Sequence, residues 1–406
     1  MIFEAGLAGK LPHFEVRLER LDAAADFVAA TIRLNYPSLK VPFHSRWRHF
    51  VIEGQDRWLK AASDGSLPPG SAARARARFE LAITSVLLDA GAGPAWRWAE
   101  PLAGGSGEAK WLHVGRSEGL ALASFAAWER GYFSSTLDEP RRVDAEGLRT
   151  FSADELAKAF LVGPDNPLDG LDGRAALLNR LGDAIVARPD LFGAEGRLGG
   201  LFDTLAARAG IPPSPLWGGG QGAHVAAPDI LRLLLEALGP IWPGRIVLGG
   251  VNLGDTWRHP AVAAGGATNG LVPFHKLSQW LSYSLIEPLQ EAGIEVADID
   301  GLTGLAEYRN GGLFVDLGVI EPRSPTLLER EHHPGDEAIV EWRALTVVLL
   351  DRIAPLVRSR LGVTAEEMPL ASVLEGGTWS AGRRIAKQKR ADGGPPVRII
   401  SDGSVF

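Results

Sequence analysis

Glu307, Tyr308 and Arg309 interrupt the otherwise apolar run at residues 301–320, GLTGLAEYRNGGLFVDLGVI. Charged groups in such surroundings are costly unless they are paired or put to use. Glu307 is therefore the first place to look for a catalytic carboxylate, and a structural ion pair with Arg309 is the competing reading. The Asn310-Gly311-Gly312 that follows predicts a sharp turn at which backbone could approach a ligand.

Three further segments hold chemistry-bearing side chains. Residues 42–50, PFHSRWRHF, set Arg46 and Arg48 beside His44, Trp47 and His49. The two guanidiniums could offer paired donors to a phosphate or carboxylate, or the segment is a turn around a buried Trp. The five-residue spacing of the His pair is not a helical zinc spacing. Residues 249–260, GGVNLGDTWRHP, combine glycines with Asp255, Arg258 and His259. The glycine spacing fits neither a dinucleotide fingerprint nor a Walker loop, and a plain loop in which Asp255 caps Arg258 is the simpler reading. After Pro273, Lys276, Gln279, Trp280 and Tyr283 fall at i, i+3, i+4 and i+7 on one helix face, with His275 at its start. That face suits a solvated Lys over a half-buried Trp, or an anionic sugar phosphate between aromatic walls.

The elements that must position these groups are mostly helical. Leu21, Ala24, Ala25, Val28 and Ile32 mark an amphipathic helix ended by Tyr36-Pro37. Helical periods recur at 74–89, 117–133, 174–186, 198–209 and 227–238, and Ser152 to Glu155 reads as a capped start. The longest helices are expected at 273–293 and 336–361, with Pro288 and Pro355 kinking or ending them. Strand-like stretches are short: 245–248, 313–315 and 397–400. The chain reads as a mainly α, multi-helix globular fold with a few short strands. An N-terminal helical part, 1–210, and a C-terminal part, 223–406, flank a Pro/Gly-rich loop at 211–222, and one continuous domain is equally allowed. Gly/Pro-rich surface loops are expected at 66–70 and 91–107, and the β-branched segment 395–400 predicts a docked tail.

Composition sets the outer bounds. The 406 residues are 46% hydrophobic and 22% charged, as in ordinary globular proteins. A net charge of −7 argues against a nucleic-acid surface. With no cysteine, thiolate nucleophiles, disulfides and Cys-ligated metals are excluded. The N-terminus lacks a secretion signal and no run reaches eighteen apolar residues, so a cytoplasmic, non-membrane protein is expected. No Gly-x-Ser-x-Gly elbow accompanies the Ser, His and Asp residues.

At these same segments the chain resembles a fungal and bacterial uracil-catabolism family long described as a domain of unknown function. The matching phrases are LPHFEVRLERLDAAADFV, YPSLKVPFHSRWRHF, DNPLDGLDGR, GGVNLGDTWRH, VPFHKLSQWLSYSLIEP, LTGLAEYRNGGLFVDLGVIEP and SDGSVF. The resemblance implies a role in a pyrimidine-degrading pathway that passes through ribosylurea. Some members carry a uracil phosphoribosyltransferase label, but the strand with paired acidic residues and its phosphate loop are missing here. The chain is also similar, more distantly, to the helical queuosine-salvage nucleotide N-glycosidases. Phe274-His275-Lys276, Leu302 to Arg309, Leu317-Gly318-Val319, and Glu341 with Arg343 correspond to motifs of that family. The likeness implies that Glu307 stands where the family places a catalytic Asp, and Lys276 where it places a phosphate-binding Lys.

Together the two resemblances imply an N-ribosyl hydrolase acting on ribosylurea or its 5′-phosphate, a small nucleoside- or nucleotide-derived substrate. Glu307 would stabilise the cationic sugar, and Asp255, Glu341 or His259 would protonate the urea. Lys276, with Arg46, Arg48 and His275, would bind the phosphate. Trp280 and Tyr283 would wall the site, with Arg309 as the partner of Glu307. No metal or cofactor is called for, and the oligomeric state is left open. Two other readings stand: a non-catalytic binding or scaffold subunit of the pathway, and a metal-dependent hydrolase using His44, His49 and His259.

Overall fold

A computed structural model describes the chain except residues 66, 68–69, 102–109, 212–222, 244 and 401–406. The expected loop between the two parts and the closing SDGSVF phrase lie outside the described residues, as does much of the 66–70 and 91–107 segments.

Helices dominate, as the 3.6-residue periodicity requires. Those that build the site are α1 (Leu21–Asn35), α2 (Ser71–Leu87), α3 (Arg116–Glu129), α4 (Lys276–Glu291), α5 (Tyr308–Asp316), α6 (Glu337–Leu361) and α7 (Ser380–Lys389). The stripe Leu21, Ala24, Ala25, Val28 and Ile32 of α1 is buried, and the helix stops before Tyr36-Pro37. The short helix Ala153–Ala159 starts at Ser152 with the expected capping box closed by Glu155. Pro288 and Pro355 lie inside α4 and α6, which continue past them. None of the described helices is long and apolar enough to cross a membrane.

Strands are two to four residues long and pair only two by two among the described residues. β1 (Phe14–Val16) pairs antiparallel with β4 (Ile320–Pro322), and β2 (Thr256–Arg258) with β3 (Leu271–Pro273). β5 (Glu331–His332) runs parallel to β6 (Arg398–Ile399), which docks the tail as its composition predicted. A continuous apolar core reaches from Ile2 to Val397. Within it α1 packs on α6, α2 on α4, and α5 on α7.

Two local expectations are overturned around Gly311. Residues 313–315 belong to α5 and form no strand, and Asn310-Gly311-Gly312 is its first turn, not a ligand-facing bend. The glycines thin the helix for packing. A Cβ on Gly311 would lie 2.7 Å from the Trp342 ring, and one on Gly312 would lie 2.9 Å from Pro396. Gly382 does the same for α7, where an added Cβ would meet the Arg309 carbonyl oxygen at 2.3 Å.

Candidate active site

Glu307 occupies the N-cap of α5 in extended backbone geometry. Its carboxylate accepts the backbone N–H of Arg309 at 2.7 Å and of Asn310 at 2.6 Å. These bonds fix its orientation, and each oxygen retains a lone pair for a ligand. Asn310 in turn accepts the Thr378 hydroxyl at 2.8 Å, locking α5 onto the neighbouring turn. Glu307 thereby faces a cavity of about 370 Å³, which it lines together with Lys276, Trp280, Tyr308 and Arg309.

Lys276 is the first residue of α4, and its backbone N–H is received by Asp255 Oδ2 at 3.0 Å. Burial lowers the pKa of its ammonium, and the negative charge of Glu307 opposes that shift. Asp255 itself is held by Arg343 through two hydrogen bonds of 2.8 and 2.7 Å and by the Trp257 indole at 2.7 Å. Burial would raise the Asp255 pKa, but the Arg343 charge and these bonds prevail and hold it below the usual carboxylate range. Arg343, and not the nearby Arg258, is therefore the partner of Asp255.

The opposite wall is aromatic and basic. His44 and His49 approach Trp280 and Trp379 with ring centroids 5.3–6.1 Å apart. His44 Nδ1 contacts Glu375 Oε2 at 2.6 Å, which leaves Nε2 as the nitrogen free to act in the cavity that His44 lines. Glu375 and Trp379 belong to a π-helical turn, Val373–Trp379, a rare element often found at functional sites. Burial, reinforced by the Arg46 charge, pushes the His49 pKa down to about 4, so His49 is neutral at pH 7. At the start of α3, Arg116, Ser117 and Glu118 complete the rim with Asp89 and Arg383. Ser117 donates to Asp89 at 2.6 Å, and Glu118 pairs with Arg383 at 2.5 Å. The strap Gly394, Pro395, Val397 and Ile399 closes one side.

Several residues expected at the site do not line this cavity. Asp255 is consumed by Arg343 and the start of α4. Glu341 is fully buried elsewhere, accepting the Phe14 N–H at 2.8 Å and lying 3.5 Å from His259. Arg46 is buried behind the wall against Ser85 and Asp89, and Arg48 pairs with Glu287. Tyr283 points its hydroxyl to the Thr303 carbonyl at 2.9 Å. His275 is the N-cap of α4 in left-handed geometry and stands off the cavity lining.

Asp89, Arg116, Glu118, Glu375 and Arg383 were not anticipated from the sequence. Glu375 was detectable: like Glu307, it is a charge inside an apolar run, here LASVLEGGTW, and Gly376-Gly377 follows it directly.

The chain belongs to the family described as "Protein of unknown function (DUF1688)", whose model matches residues 1–406. It is similar to the protein urg3 of Schizosaccharomyces pombe, at 38% identity over 95% of this chain and 90% of the relative. Uracil catabolism protein 4 of Lachancea kluyveri is 35% identical over 98% of this chain and 93% of that protein.

Proposed function

We propose that this chain is an N-glycosidase of uracil catabolism that hydrolyses the N-ribosyl bond of ribosylurea or its 5′-phosphate. The pathway part of the reading rests on the name of the Lachancea relative. The observation that carries the chemistry is Glu307, held rigidly by two backbone N–H groups at the floor of a cavity that also holds Lys276. A fixed carboxylate below C1 stabilises the positive charge that builds on the sugar as the C–N bond breaks, and orients or deprotonates the attacking water.

Water then adds its oxygen to C1, and the departing urea nitrogen takes up a proton. His44, oriented by Glu375, supplies that proton in place of the carboxylates expected from sequence. Trp280 and Trp379 wall the sugar and the planar urea. Lys276 grips a 5′-phosphate, and Arg116 at the N-terminus of α3 takes the part expected of Arg46 and Arg48.

The test is to incubate the purified protein with ribosylurea and with its 5′-phosphate and to follow urea by mass spectrometry. Wild-type protein should release urea from one of them, and Glu307→Gln should lose at least ~100-fold of that rate with its fold retained. Urea release by the variant at the wild-type rate overturns the assignment of Glu307. No release by the wild-type chain from either compound favours a binding subunit instead.

A further inference from the structure

Away from the cavity, three segments converge at the start of α6. Glu337 and Glu341 lie one helical turn apart on that helix, and His13 precedes β1. A His13 ring nitrogen, a Glu337 oxygen and a Glu341 oxygen all lie within 4.8 Å of one another, with His13 Nε2 3.6 Å from Glu337 Oε1. None of the three lines the cavity described above.

Glu341 is the telling member. It is wholly buried, its Oε1 accepts the Phe14 N–H at 2.8 Å, and its Oε2 receives no hydrogen bond. A buried carboxylate oxygen without a partner is costly and calls for an explanation. A second buried side chain is aimed at that oxygen. His259 Nδ1 accepts the Ala261 N–H at 3.1 Å, which puts the imidazole proton on Nε2. That Nε2 also lacks a hydrogen bond and stands 3.5 Å from Glu341 Oε2. An N–H donor to a carboxylate normally closes to about 2.7–2.9 Å. His259 is thus placed to steady the carboxylate from one side and cannot ligate a metal through its protonated nitrogen.

Two carboxylates at i and i+4 repel each other, and the side chains set against them here are imidazoles. One imidazole nitrogen and two carboxylate oxygens at this spacing form the ligand set of a first-row divalent ion, with the open positions left for water. We propose that His13, Glu337 and Glu341 bind one divalent transition-metal ion of the Zn²⁺ or Mn²⁺ kind. The ion ties residue 13 to a helix more than three hundred residues later in the chain. It lies two residues from Arg343, so it braces the same helix that fixes Asp255 and the start of α4.

The test uses untagged protein stripped with a chelator, dialysed, and titrated calorimetrically with Zn²⁺ and, separately, Mn²⁺. Bound metal is counted by mass spectrometry after desalting, and the melting temperature is recorded with and without the ion. The expected result is one equivalent per chain with a raised melting temperature. His13→Ala and Glu337→Gln are the variants of choice, because these two side chains are 31% and 41% exposed and their loss spares the core. Each should weaken binding at least ~10-fold. Absence of stoichiometric binding by the wild-type chain overturns the site, as does a weakening below ~10-fold in both variants.

Discussion

Arg343 on α6 grips Asp255 through both terminal guanidinium nitrogens at 2.8 and 2.7 Å, and the same carboxylate receives the first N–H of α4. Two helices distant in sequence are thus joined at the residue that begins the lysine-bearing wall of the cavity. Asp255 and Arg343 are 8% and 1% exposed, so solvent does little to replace a missing partner.

Truncating either member leaves the other charge buried. Arg343→Met should cost about 3–5 kcal/mol of stability, measured by urea denaturation at pH 7. Because the folded pKa of Asp255 is depressed, the pair contributes its stability above the ordinary carboxylate range and loses it as pH falls through the lower, folded value. A variant as stable as the wild type at pH 7 would show that the pair holds nothing together.

His49 has the opposite charge type but the same direction of effect. Its folded pKa is about 4, against 6.5 as the ordinary value. Between those limits the unfolded chain takes up a proton that the folded chain refuses, so stability declines as pH is lowered. The decline attributable to this residue is about 3 kcal/mol from pH 6.5 to pH 4. His49→Gln should flatten the stability–pH curve over that interval in denaturation series, and an unchanged slope would assign the titration elsewhere.

His44→Gln should lower kcat for urea release by about 10²–10⁴-fold, the usual worth of a general acid. The deficit should shrink for a ribosyl substrate whose leaving group departs without protonation. Equal losses on both substrates would reduce His44 to a wall residue. Glu375→Gln, which keeps a hydrogen-bond acceptor for Nδ1, should lower kcat less than His44→Gln does and spare KM.

Lys276 distinguishes the phosphorylated from the free substrate. If it grips a 5′-phosphate, Lys276→Met should raise KM for the phosphate at least ~10-fold, the loss of one charge-assisted contact, while leaving the free ribosylurea unaffected. Steady-state kinetics on the two compounds give the comparison. Equal effects on both would place the ammonium against Glu307 or the sugar instead.

Much of this was legible in the sequence because periodicity is local. The stripe of α1, the capping box at Ser152 and the mainly helical class follow from residue spacing alone. So does the polar island at Glu307, which indeed borders the cavity. What was not legible depends on pairs far apart in the chain. Asp255 looked like an acid near Arg258, yet its partner sits 88 residues away. Arg46 and Arg48 looked like an anion edge, yet one is buried behind the wall and the other is neutralised by Glu287. Gly311 and Gly312 looked like a turn, because glycine serves bends and tight helix crossings equally well, and only the facing Trp342 and Pro396 decide between them.

The strap at residues 394–399 has a consequence for how the protein comes into being. The cavity takes side chains from His44 near one end and from Val397 and Ile399 near the other, so it draws on both the 1–210 and the 223–406 stretches. A nascent chain emerging from the ribosome can bury most of its apolar core while the pocket still gapes on one side. Ligand binding would then begin only once residues 394–399 have been translated and docked, and a fragment ending before Gly394 would fold around an unfinished vessel.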